Sequence, residues 1–461
     1  MQPPSSIAHH HRFFIKTYGC QMNSYDSEKM SDILKSKLKM VETNSIDDAD
    51  LIIMNTCSIR EKAQEKVFSE LGRWKKSLGH RQAVIAVTGC VASQEAEQLI
   101  KRAPIVNLVL GPQTIHRLPL MYLAHLMHKT PQVDVSFPEI EKFDQLPQKT
   151  TESVTAFLSI MEGCNKYCTY CIVPYTRGTE ISRSYNDVMN EAKHLVAKGI
   201  KEITLLGQNV NDYDGTIDQT GESANLALLI HAISHLSGIQ RIRFTTSHPA
   251  AFDQTLIDAY SVATSKLCKH LHLPVQSGSN RILSLMKRDY TCEQYIDIIQ
   301  ALKQCCPGIT ISTDIIVGFP GETDDDFEQT LKLVDTIGYD HSYSFIYSPR
   351  PGTPASSLKD LIPLNVKKER LALLQTKLKE SAQYIAQDML NRSQPVLVES
   401  VSQHLPGHLM GRTENNRVVQ FQGPEELVGN MTNVTITQIL DNSLRGRLEH
   451  TTQPHAESIE I

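Results

Sequence analysis

Residues 155–174 read TAFLSIMEGCNKYCTYCIVP: an apolar run over 155–160, then a loop with cysteines at 164, 168 and 171. The apolar run predicts a strand. The C-x3-C-x2-C spacing behind it predicts a metal loop. Three thiolates can hold three irons of a [4Fe–4S] cube and leave the fourth iron open to a substrate or cofactor, which a four-cysteine electron-transfer site cannot do. Zinc is the competing reading, but zinc sites usually pair C-x2-4-C with a second, distant pair, and none is visible in this sequence.

Downstream of this stretch, EITLLG, RIRFTT, KHLHLP, ISTDIIVG and HSYSFIY follow TAFLSI, with helical stretches between them. Six such units predict an incomplete (β/α)6 barrel with its active site in the loops at the strand carboxyl ends. The cysteine loop follows the first strand, as that rule requires. The later rim loops GQNVND, SHPA, PVQSGSN, GFPGET and SPRPGT are polar and mostly glycine-rich. Arg177, Arg183 and Arg350 are candidates to pair with a carboxylate or phosphate. Residues 360–390 read as a helix carrying Lys367, Lys368, Arg370, Lys377 and Lys379, either a solvated face or an RNA-backbone contact. The central domain therefore spans 153–390.

Upstream, RFFIKTY, ADLIIMNT, AVIAVTG and VNLVLG each precede an amphipathic stretch. Residues 12–127 thus predict a parallel α/β domain. Right-handed crossovers place its loops along one edge. Cys20, Cys57 and Cys90 each stand just after a strand and before a helix, so the topology gathers them at the carboxyl edge where open α/β sheets bind ligands. These residues predict a second three-cysteine cluster, again with an open iron. Gly19 and Gly89 are expected to let the backbone approach a ligand closely.

Residues 128–152 lack periodicity, carry three prolines and read as a linker. Residues 391–455 are short strands split by Gly, Pro and Asn, which predicts a small all-β barrel. From 391 to 461 there are five Arg, no Lys and eight acidic residues, and Phe421 is the only aromatic, a poor platform for stacking bases. Cys268, Cys292, Cys305 and Cys306 read as structural thiols. The net charge of −5 over 461 residues argues against a uniformly basic nucleic-acid binder. No run of 18 apolar residues and no secretory signal is seen, which points to a cytoplasmic chain with reduced thiols and no membrane partner.

The C-x3-C-x2-C loop with Tyr170 before its last cysteine resembles the radical S-adenosylmethionine (SAM) superfamily. There SAM binds the open iron and is split to a 5′-deoxyadenosyl radical that abstracts hydrogen, chemistry that the cofactor carries while the protein positions it. The resemblance implies SAM contacts from Tyr170, Arg183, Gly207, Gln208 and Gln276. An N-terminal three-cysteine domain, a radical-SAM barrel and a TRAM-like RNA-binding barrel, over about residues 12–450, resemble the methylthiotransferase family. TYGCQMNSYDSEKM, NTCSIREKAQEKVF, HLPVQSGSNRIL and MKRDYT resemble its branch acting on isopentenylated adenine of tRNA. The branch modifying a ribosomal-protein aspartate usually carries a string closer to SLGCPKN around the first cysteine.

The family resemblance implies two [4Fe–4S] clusters and two SAM per product, with a methylthio group placed at C2 of N6-isopentenyladenosine immediately 3′ of the anticodon. Bases of an anticodon loop can be splayed into a pocket, as duplex bases cannot. Implied partners are the tRNA anticodon loop, a low-potential flavodoxin-like electron donor and a sulfur and cluster-assembly system, with the chain a monomer. The alternatives are a threonylcarbamoyl-type tRNA adenosine or a ribosomal-protein side chain as substrate.

Overall fold

The computed structural model describes residues 11–58, 63–137, 153–261, 266–403 and 405–449. The four expected N-terminal strands form as Arg12–Thr17, Leu51–Thr56, Val84–Gly89 and Leu108–Leu110. Two short edge strands, Val41–Glu42 and Gln132–Asp134, complete an all-parallel sheet of six in the order 41–42, 12–17, 51–56, 84–89, 108–110, 132–134. The last strand extends this domain beyond residue 127 into the span expected to be linker. Three residues are too few to show a period, and only pairing with Leu108–Leu110 makes them a strand. The rest of that span, 138–152, lies outside the described residues, as do 450–455 of the C-terminal span.

Strands Leu51–Thr56 and Val84–Gly89 are buried at every position, as parallel strands with helices on both faces must be. Met30, Leu34, Leu118 and Tyr122 cover one face, and Val67, Leu71 and Trp74 the other.

The central domain contains the six expected strands. Thr155–Ser159, Glu202–Leu206 and Arg241–Phe244 pair in parallel. His270–His272 pairs with Thr310–Ser312, and Asp314–Val317 with Tyr343–Ile346, also in parallel. Single parallel bridges, Ile242 to Leu267 and Gln276 to Ile315, tie these groups together. Among the described residues no ladder joins Tyr343–Ile346 to Thr155–Ser159, so the barrel is open between its first and last strands. Helices between the strands start where the sequence caps them. Thr291 and Gln294 form a reciprocal capping box before Cys292–Cys305, which satisfies otherwise orphaned N–H groups. Cys292 and Cys306 join the barrel core and Cys268 is buried, consistent with structural thiols.

Helix Leu364–Met389 leads to a closed five-stranded barrel in the order 393–401, 408–412, 418–422, 444–448, 431–439. Phe421 is fully buried in its core with Val396, Leu409 and Val434 and cannot stack on a base. Four of the helix's five cations pair with carboxylates of the protein itself. Lys367 pairs with Asp360, Arg370 with Glu322 and Asp324, Lys377 with Asp335, and Lys379 with Asp441.

The small barrel docks beneath the central one through arginines. Arg241 donates to the carbonyls of Arg412 and Pro395, and Arg243 to those of Thr413 and Glu414. Arg417 pairs with Asp340 and donates to the Ala382 carbonyl at 2.7 Å. Replacing Arg417 with Ala would leave Asp340, 2 % exposed, buried without its counter-charge. Such a loss costs about 3–5 kcal/mol. The expected outcome is a clearly lower urea midpoint; a midpoint equal to that of the unsubstituted chain would show that the latch carries no stability.

Candidate active site

Cys20, Cys57 and Cys90 lie along one edge of the N-terminal sheet. They follow three adjacent strands of the sheet, at its carboxyl edge. Cys20 caps helix Gln21–Leu38, and Cys90 opens helix Cys90–Glu95. A buried amide network fixes their backbones. Asn23 Nδ2 donates to Asn55 Oδ1 at 2.9 Å and to the Thr56 carbonyl at 3.0 Å. Asn55 Nδ2 donates to the Asn23 carbonyl at 2.8 Å.

The two glycines let the strand ends pack against one another. Gly19 has φ +129°, and a Cβ there would lie 2.5 Å from Cys57 Cβ. Gly89 has φ +90°, and a Cβ there would lie 2.2 Å from the Thr56 carbonyl. Any side chain would therefore force the strand ends apart, in a backbone region that only glycine enters freely.

Cys57 and Cys90 are buried and Cys20 is exposed. Hydrogen bonding with Cys57 comes first in bringing the Cys20 thiol down to about 6, and the Arg177 charge adds to it. Around the trio, the buried hydroxyls Ser58 Oγ, Thr88 Oγ1 and Ser93 Oγ have no hydrogen-bond partner. Buried hydroxyls normally find one, and sulfur atoms of a cluster accept such bonds. Among the described residues no three His, Cys, Asp or Glu converge on one point as a single metal ion needs. A cube spreads its thiolates over separate irons, so thiol donors with unsatisfied hydroxyls around them fit it.

The second trio follows strand Thr155–Ser159. Its loop is braced from three sides. Gln208 Oε1 accepts from Gly163 N at 2.6 Å, Thr169 N donates to the Met286 carbonyl at 3.0 Å, and Ala355 N donates to the Thr169 carbonyl at 2.8 Å. Arg288 lies behind it, with Nη1 3.6 Å from Cys168 Sγ and Nη2 on the Pro274 carbonyl at 2.8 Å. Burial pushes the Cys164 thiol up to about 11 and the Cys171 thiol up to about 12. Metal coordination would remove those protons outright.

On the neighbouring strand ends, four more buried polar atoms lack a partner: Gln208 Nε2, Asn209 Oδ1, Ser247 Oγ and His248 Nε2. The turn before them is strained. Thr246, a β-branched residue, has φ +71°, and Gln276 on the next strand end has φ +73°. Backbones of this kind concentrate at ligand sites. Asn211 clamps His248 by bonding both its N–H and its carbonyl, at 2.9 and 2.7 Å. Ala250 N donates to His248 Nδ1 at 3.2 Å, which leaves Nε2 to carry the proton. Burial, followed by the Arg288 and Lys166 charges, lowers the His248 pKa to about 2. Its imidazole is therefore a neutral donor.

The other expected residues are placed as follows. Gly207 is close-packed, since a Cβ there would lie 2.4 Å from Met161 Cγ. Tyr170 packs behind the cysteine loop against the cluster of Ile282, Met286, Phe319 and Tyr347. Arg183 is committed elsewhere: Nη1 bonds the Ser159 carbonyl at 2.8 Å and Glu191 at 2.7 Å, so it builds the first strand rather than facing a ligand. Arg177 pairs with Asp26 and Glu162 of the protein itself. Arg288, Asn209, Ser247 and His248 went unnamed in the sequence, although MKRDYT, GQNVND and SHPA contain them.

A model described as the radical SAM superfamily matches residues 158–334, one described as the TRAM domain matches 387–448, and one described as uncharacterized protein family UPF0004 matches 12–111. The tRNA-2-methylthio-N(6)-dimethylallyladenosine synthase of Legionella pneumophila (strain Corby) is 56% identical over 95% of this chain and 98% of its own. The protein of the same name from Alkalilimnicola ehrlichii is 55% identical over 95% of this chain and 97% of its own. Among solved structures, the radical SAM methyltransferase TsrM from Kitasatospora setae, with cobalamin and a [4Fe-4S] cluster bound, superposes with a TM-score of 0.53 at 12% identity, over 75% of this chain and 74% of that one. The cobalamin-dependent SAM radical enzyme OxsB gives 0.51 at 14% identity, over 82% of this chain and 56% of that one. At these identities the structures share the fold alone.

The neutral His248 has a pH signature. Its folded pKa lies far below the unfolded value of about 6.5. Below that pH the unfolded chain binds a proton that the folded chain does not, so stability falls as pH falls. The loss approaches about 1.4 kcal/mol per pH unit. Between pH 7 and 5, the unsubstituted chain is expected to lose more urea stability than a His248→Asn variant. Equal losses would mean that His248 is protonated in the fold.

Proposed function

The chain belongs to the tRNA-2-methylthio-N(6)-dimethylallyladenosine synthases, a radical-SAM methylthiotransferase family, and we propose that its two cysteine trios divide that reaction between them. The enzyme places a methylthio group on the isopentenylated adenosine of tRNA beside the anticodon, at C2, using two SAM per product. The division rests on one observation: two separate three-cysteine edges, each at the carboxyl ends of parallel strands and each bordered by buried polar atoms without partners.

Cys164, Cys168 and Cys171 are proposed to hold the cluster that binds SAM. When bound, that cluster supplies an open iron and the electron that splits SAM. The chain's own residues hold and shape the site. Arg288 offsets thiolate charge at Cys168, as outer-shell donors do. Gln208 braces Gly163 with its carbonyl oxygen and keeps its N–H2 for the ligand. Gly207, Gln208 and Gln276, with Asn209, Ser247 and His248, form the proposed SAM cradle, and Tyr170 supports the loop from behind. His248 donates a hydrogen bond there without adding charge.

Cys20, Cys57 and Cys90 are proposed to hold the second [4Fe–4S] cluster, the place where sulfur to be transferred is methylated. The exposed Cys20 leaves that edge accessible.

The RNA is proposed to lie along the small barrel. Three of its five arginines are spent on protein carboxylates: Arg392 on Asp388, Arg412 on Glu399 and Arg417 on Asp340. Arg445 and Arg447 stand exposed on one face of strand Leu444–Leu448. No described helix is long and apolar enough to cross a membrane, and no disulfide links any of the ten cysteines. Both observations support a cytoplasmic setting. The chain would work there as a monomer, with a low-potential flavodoxin-like donor and a sulfur and cluster-assembly system.

Anaerobic reconstituted enzyme given SAM, reductant and isopentenylated tRNA is expected to yield the methylthio nucleoside by mass spectrometry. Cys168→Ala should abolish deoxyadenosine release. Cys57→Ala should keep that release and lose the methylthio product; methylthiolation by Cys57→Ala would remove the second cluster from the reaction. Replacing Arg445 and Arg447 together with Ala should weaken tRNA binding and flatten its salt dependence by about two in log–log slope. An unchanged slope would place the RNA elsewhere.

A further inference from the structure

Arg177 ties the elements that carry the two cysteine trios to one another. Its guanidinium is 3 % exposed and lies between two carboxylates from different domains. Nη2 donates to Asp26 Oδ2 at 2.8 Å, and Nη1 to Glu162 Oε1 at 3.2 Å. Asp26 belongs to the helix that Cys20 caps. Glu162 stands two residues before Cys164. Helix Val173–Arg177 begins two residues after Cys171 and packs against helix Cys90–Glu95. The Arg177 carbonyl accepts from Gln113 Nε2 at 2.8 Å, which pins that helix to the N-terminal sheet.

Holding two domains together does not require this arrangement. A buried ion group is often replaceable by apolar side chains without loss of stability. What only the ions provide is a fixed charge and a fixed fork geometry. Burial works against the Arg177 charge, but Asp26, Cys90, Glu162 and Cys20 outweigh it and hold its pKa well above the usual range. The cation therefore lies within electrostatic reach of two of the three N-terminal thiols.

We propose that Arg177 is a positioning residue for transfer between the trios: it fixes the spacing of the two cysteine edges and sets a permanent positive charge beside the N-terminal one. This rests on the two-cluster reading above. The charge favours the more reduced, more negative state of whatever Cys20, Cys57 and Cys90 hold, and so raises its reduction potential.

The test uses the full chain, reconstituted, in two backgrounds. With Cys164, Cys168 and Cys171 replaced by Ala, the N-terminal cluster can be titrated alone by EPR. There, Arg177→Met is expected to shift the potential to more negative values, and Arg177→Lys to restore much of it. Because Arg177→Met strands two buried carboxylates, the neutral triple variant Asp26→Asn, Glu162→Gln, Arg177→Met is measured beside it. In the otherwise unsubstituted chain, methylthio product per deoxyadenosine released should fall about tenfold or more in both, since small misplacements of reacting groups have effects of that size. A triple variant whose potential equals that of the Asp26→Asn, Glu162→Gln pair with Arg177 kept, from which it differs only by the cation, would overturn the proposal, whatever its product ratio, because Arg177 would then be a structural tie alone. No N-terminal EPR signal and no iron there, with Arg177 intact, would overturn the two-cluster reading itself.

Discussion

Right-handed crossovers between consecutive parallel strands deliver every strand-to-helix loop to the same edge, and both halves of the site depend on that constraint. In the N-terminal sheet it delivers to one edge cysteines that lie more than thirty residues apart, at 20, 57 and 90. In the central barrel it brings Gln208, His248 and Gln276 around the loop that follows the first strand. Topology supplies only coarse convergence, to within a strand spacing or two. The remaining ångströms come from missing side chains and buried amides. Gly19 and Gly89 let neighbouring strand ends close up, and Asn23 and Asn55 lock them by exchanging hydrogen bonds.

The contacts between domains include buried ion pairs. Arg177 of the central domain pairs with Asp26 of the N-terminal one, and Arg417 of the small barrel pairs with Asp340 of the central one. Each such group costs desolvation that its partners only offset, so these contacts contribute register more than stability. A guanidinium accepts few geometries, and a wrong docking angle would leave it unpaired in a dry place. The N-terminal and C-terminal bodies are thereby held to the barrel at defined positions. A reaction that moves a group between two edges needs that registration.

Much of this was legible because its signals are local. Six strands of the central domain and five of the small barrel stood out as apolar runs between turn residues, and the six cysteines stood out by spacing or by position after a strand. Short edge strands did not. Gln132–Asp134 carries no period, and pairing alone defines it. Side-chain partners across long separations did not either. Arg288 reaches Cys168 from 120 residues away, and Arg177 reaches Asp26 from 151. Arg183 looked like a ligand-binding cation because an isolated arginine in sequence shows charge but not destination; Glu191 two turns along the next helix claims it. The strained Thr246 was equally silent, since a backbone angle is set by what the neighbours demand and not by the residue's own preference.

The barrel rim must satisfy two opposed demands. Hydrogen-abstracting chemistry calls for a site closed to water, whereas a sulfonium, its carboxylate and a nucleoside call for polar contacts. The proposed cradle answers both with neutral donors in a close-packed wall. Met161 fills the space a side chain at Gly207 would need, directly beside the cysteine loop. His248 is kept neutral by burial and by the Arg288 and Lys166 charges, so its Nε2–H can direct a ligand without drawing a counter-ion or a hydration shell into the barrel. Near the cysteine loop, Arg288 stands 3.6 Å from Cys168, Arg177 is paired with Glu162 and Lys166 with Asp212, so each of these cations is held by a group of the protein itself.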